Sequence, residues 1–60
     1  MAEGIELIVK KSGVSYFRVW AENGRMIVNS EQYVDQDNAE KGIAALQDAV
    51  NNGKVWVTKQ

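Results

Sequence analysis

The chain contains no cysteine, no histidine and no proline. Without cysteine there is no disulfide and no thiolate metal site. Without histidine the commonest transition-metal ligand is missing, and so is the usual general base. Without proline there is no Pro-rich docking segment or stiff linker. No apolar run approaches the roughly 18 residues that would suggest a membrane span. Met1-Ala2-Glu3-Gly4 lacks the basic start and long apolar stretch of a secretory leader, so a cytoplasmic location is expected. Charge is nearly balanced, with eight Asp and Glu against seven Lys and Arg. A dedicated nucleic-acid binder usually has a basic excess or stripe, which disfavours that class.

What is present fits one small domain spanning residues 1–60. Hydrophobic residues make up 45% and charged residues 25%, an ordinary globular composition. A chain of this length buries only about 60% of its unfolded surface, and domains so small often lean on a disulfide, a metal or a partner subunit. With the first excluded and good metal ligands scarce, a partner subunit is the support that remains.

Alternation of Ile5, Leu7 and Val9 with Glu6, Ile8 and Lys10 predicts a strand from Ile5 to Lys11. Ser12-Gly13 is a turn. A second strand, rich in aromatic and β-branched residues, is predicted from Ser15 to Glu22. Asn23-Gly24 suits a two-residue type I′ hairpin leading into a third strand, Arg25 to Ser30. That turn would pair Glu22 with Arg25, Ala21 with Met26, Trp20 with Ile27 and Val19 with Val28. Phe17, Val19, Ala21, Met26 and Val28 would then share one face, and Tyr16, Arg18, Trp20, Ile27 and Asn29 the other.

A helix is expected from about Gln36 to Asn51, with Ala39, Ile43, Leu46, Ala49 and Val50 at helical spacing. Asp35 or Asp37 is its N-cap, and Asp37 with Glu40 would resemble a capping box. Gly42 weakens this helix by about 1 kcal/mol relative to Ala, which suits a close approach to the sheet. Gly53 is placed to end it in the left-handed conformation. Lys54 to Thr58 reads as a last strand, either returning to its own sheet or reaching a neighbour's. The fold class is therefore α+β: a β-β-β-α-β unit with an antiparallel sheet and one helix on one face.

One helix covers one face. Ile8, Tyr16, Arg18, Trp20 and Ile27, with Trp56 from the last strand, are left for a second copy or a partner protein. Fully burying such apolar side chains is worth about 1.5–3 kcal/mol each. These six are the candidate dimer or partner face, and a homodimer is the expected state.

The run Tyr16-Phe17-Arg18-Val19, then Asn23-Gly24, Ile27, Ser30-Glu31 and Tyr33, then Gly42-Ile43, resembles the YegP-like family of small domains of unknown function. The likeness spans about Glu6 to Val50. It implies β(3)-α-β units, found as tandem repeats or homodimers, that build one sheet and exchange C-terminal strands. Two departures stand out. Gln36 and Trp20 occupy positions where the family commonly has basic residues, so roles of those basic side chains do not transfer. The resemblance implies no biochemical activity.

Other candidates have structural readings. Asp35, Asp37 and Glu40 could hold a hard cation, but they suit helix capping better. Ser30-Glu31-x-Tyr33 offers a hydroxyl beside a carboxylate, yet no base is placed to activate it. Arg18 with Tyr16 and Trp20, helped by Lys10, Lys11 and Arg25, resembles the sheet faces on which single-stranded nucleic acids stack. The competing reading is an Arg–aromatic contact within a dimer face. Lys54 and Lys59 guard an edge. The expected function is a non-enzymatic dimeric association module with no cofactor. A single-stranded nucleic-acid adaptor is the alternative.

Overall fold

The computed structural model describes residues 3–60. Strand β1 is Gly4–Val9, β2 is Ser15–Trp20 and β3 is Met26–Asn29, and helix α1 is Gln36–Asn52. The three strands form one antiparallel sheet in the order β1-β2-β3. The first three expected strands and the helix are thus present, each within a few residues of its sequence boundaries.

Both hairpins close with the same three-residue loop. Lys10 N–H donates to Val14 O at 2.9 Å across Lys11-Ser12-Gly13, and Ala21 N–H donates to Arg25 O at 2.8 Å across Glu22-Asn23-Gly24. In each loop only the glycine has positive φ, 95° at Gly13 and 82° at Gly24. A type I′ turn would require positive φ at Asn23 as well. Asn23 instead stays at negative φ and its Oδ1 accepts from Arg25 N–H at 3.0 Å. The two-residue turn expected at Asn23-Gly24 is therefore replaced by a type I turn followed by a left-handed glycine.

That one extra loop residue shifts the register. Trp20 opposes Met26, not Ile27, and Ala21 opposes Arg25, not Met26. A bulge between Val19 and Trp20 absorbs the shift, so Val19 opposes Val28 as expected. Ile27 is the surplus residue of the bulge. Met26 consequently moves to the Trp20 side, and Ile27 leaves it.

The helix packs against β2 and β1 and makes no comparable contact with β3. Its start is tightly built. Asp35 is the N-cap, its Oδ1 accepting from Asn38 N–H at 2.9 Å. Phe17 and Ala39 are buried, and the Tyr33 ring stacks on Phe17 at 6.2 Å between centroids. A Cβ on Gly42 would lie 2.5 Å from the Tyr33 hydroxyl and 3.3 Å from the Phe17 ring, so glycine is what lets the helix come this close. Tyr33 is anchored by two backbone bonds to Ser15, of 3.0 and 2.7 Å. Ser30 extends the ladder with its side chain: Phe17 N–H donates to Ser30 Oγ at 2.9 Å. The Ser30 hydroxyl in turn donates to Glu31 O at 2.8 Å.

The helix end differs from expectation. Gly53 is extended (φ −81°, ψ 172°), not left-handed, and its N–H donates to Ala49 O at 2.8 Å. The chain therefore leaves the helix in an extended conformation. A Cβ there would meet Ala49 O at 2.5 Å, so close approach to that carbonyl, rather than positive φ, favours glycine. Lys54 to Thr58, expected as a last strand, pairs with nothing within the single chain.

Candidate functional site

The residues singled out from the sequence separate into two surfaces. Alternation and the β1–β2 register place Ile8 opposite Tyr16, and Glu6 opposite Arg18, on the face away from the helix. Trp20 joins them, with Met26 and Asn29 beside it on β3. This outer face is more polar than its apolar names suggest. Trp20 Nε1–H donates to Glu6 Oε1 at 3.0 Å. Arg18 lies over the Tyr16 ring, 5.4 Å from its centroid, and donates from Nη2 to the Tyr16 hydroxyl at 3.3 Å. Lys10 Nζ is 5.7 Å from the same centroid. Tyr16, Arg18 and Trp20 are each half-buried by these mutual contacts. Arg18 Nε is buried with no hydrogen-bond partner.

The second surface is on the helix side. Where α1 runs past Ile43 it leaves a groove of about 450 Å³, lined by Ile5, Val19, Ile27, Val28, Leu46 and Val50. Ile27 belongs here and not with Trp20, because the bulge moves it across the sheet. Ile27 is 64% exposed and Val50 74%. Beyond the helix, Val55, Trp56 and Val57 are 96%, 82% and 77% exposed. Trp56 therefore does not join Tyr16 and Trp20 within the chain. The groove and tail thus leave large apolar side chains uncovered, with Ile27, Val50, Val55, Trp56 and Val57 all more than half exposed.

Sequence reasoning did not foresee the contacts of four residues. Lys10 was read as flanking charge, although its place two residues beyond Ile8, diagonal to Tyr16, could have indicated the ring contact. Glu6 as the indole acceptor and Leu46 with Val50 as a groove wall depend on register and on the tilt of the helix, which no local pattern encodes.

The carboxylates near the helix start have structural uses. Asp35 caps the helix, Asp37 pairs with Lys41 at 3.4 Å, and Glu40 accepts from Gln36 at 2.9 Å. Among the described residues no group of three or more potential ligands is arranged for a metal ion. No helix among them is long and apolar enough to cross a membrane.

A family model described as "Domain of unknown function (DUF1508)" matches residues 10–55. The chain belongs to this family. DUF1508 is the YegP-like family, so the likeness seen at Tyr16-Phe17-Arg18, Asn23-Gly24 and Gly42-Ile43 identified it correctly. No curated protein and no solved structure matches the chain. The DUF1508 match begins just after β1 and includes β2, β3, the helix and the first residues of the tail.

Proposed function

We propose that this DUF1508 domain is a non-enzymatic association module that works as a homodimer, each copy lending residues 54–58 to the other. The observation that carries this is the tail. A run of Val55, Trp56 and Val57 stands almost fully in water, next to an apolar groove that its own chain leaves unfilled. Three large apolar side chains and a groove on the same chain make complementary halves of one interface. Burial of such side chains is worth about 1.5–3 kcal/mol each, a large fraction of the stability of a domain this small. The free edges of β1 and β3 also offer backbone groups to an incoming strand. Family likeness points the same way, since related units exchange C-terminal strands.

Light scattering tests the reading. At micromolar concentration the chain should have twice its 6.7 kDa mass. Ile27→Lys or Trp56→Ser should return it to one copy while helix content stays intact. A monomeric parent chain overturns the proposal.

A further inference from the structure

We propose that the outer face of the sheet binds single-stranded nucleic acid, Trp20 stacking on a base while Lys10 and Arg18 take neighbouring phosphates. This surface lies across the sheet from the groove and the helix. Its function is therefore separable from self-association.

The argument begins with charge. The one ion pair among the described residues is Lys41–Asp37, on the helix. Neither Lys10 nor Arg18 has a carboxylate partner, and the nearest one across the strand, Glu6, is engaged by the Trp20 indole. Both cations lie against the Tyr16 ring, which they flank from opposite ends along the strands. The guanidinium has a buried Nε–H with no acceptor, the kind of orphan a native structure rarely leaves unexplained. An anionic oxygen arriving from outside would meet the Nη groups of the guanidinium and leave the buried Nε as it is.

The slight acidic excess of the whole chain does not describe this face. Asp35, Asp37, Glu40 and Asp48 sit on α1 or its cap, and along the strands of the outer face Lys10 and Arg18 stand against one carboxylate, Glu6. The aromatic side chain decides between polyanions. Trp20 is half-buried and tethered through Nε1 to Glu6, so its ring is held in place before a ligand arrives. A fixed indole beside two unpaired cations suits alternating bases and phosphates, whereas an acidic peptide has no ring to stack.

Anisotropy of a labelled oligothymidylate titrated with the full chain at low salt tests this. For two phosphate contacts per chain, log K should fall with log salt at a slope of about −1.4, and Arg18→Gln should bring the slope to about −0.7. Trp20→Leu should weaken binding about tenfold and leave the slope unchanged. Quenching of indole emission by oligothymidylate in Trp56→Phe, whose one remaining indole is Trp20, gives a second readout if Trp20→Leu is poorly folded. Lys41→Gln, on the exposed side of the helix, should bind as the parent does. Absence of binding at low salt overturns the proposal. So does equal affinity for an oligoglutamate peptide of the same length, which would show that charge alone is recognised.

Discussion

The two halves of the helix meet the sheet in opposite ways. At the first half, Ala39 and Phe17 are buried, Tyr33 is stacked and bonded in place, and Gly42 allows contact closer than any side chain would permit. At the second half, Leu46 and Val50 stand back from Ile5, Val19 and Ile27 across an open groove. A chain of this length has too few large apolar residues to close both ends. Close packing at one end makes the fold, and the other end is left open, where the proposed association would take place. Substitutions should therefore divide into those that unfold the domain and those that only separate its copies.

Phe17→Ala should have the largest effect. Removing a buried aromatic ring costs about 3–5 kcal/mol, comparable to the whole stability of a domain this size, so circular dichroism should show loss of the helix at room temperature. Gly42→Val comes next, because its branched side chain must displace Tyr33 and Phe17 at about 1–3 kcal/mol. Since 1 kcal/mol corresponds to about 4–8 °C for a small domain, a melting scan reads this directly. A neutral or raised Tm would mean that the helix start is looser than its contacts indicate.

Ser30→Ala should cost about 1–2 kcal/mol by leaving the Phe17 N–H without its acceptor. Restoration by Thr, which keeps the oxygen, would separate that bond from general packing. The smallest effect on folding is expected at the open end. Val50→Ser should change the stability of the isolated unit by less than about 0.5 kcal/mol, as exposed positions usually do, while lowering the mass seen by light scattering. A large loss of unfolding free energy at concentrations where the unit is monomeric would erase the contrast between the two ends.

Much of this was legible locally. Period-2 alternation identified β1 and β2 and correctly put Leu7 and Phe17 on the helix side, because each residue's face follows from its neighbour's. Asp35 was one of two caps named, and Gly42 was correctly tied to close approach. The misplaced residues share one cause. Asn-Gly fits both a two-residue and a three-residue hairpin, and the choice depends on whether Asn23 takes positive φ or bonds Arg25 through its side chain. That single backbone choice moved Met26 and Ile27 to opposite faces, and with them the boundary of the candidate partner surface. The tail is a different case. Val-Trp-Val has strand composition, but pairing requires a partner edge, and nothing in the segment itself names one.

Extended Gly53 leaves the tail unpacked against its own chain, and for the proposed exchange this has a consequence for assembly size. A donor arm and a receiving groove on the same molecule are a head-to-tail pair. Reciprocal exchange about a two-fold axis consumes both and stops at two copies. Donation to a third molecule instead leaves one arm and one groove free at the ends of a growing fibre. Which product forms is set by the angle at which residues 53–54 leave the helix, so loosening this short hinge should favour polymers over pairs.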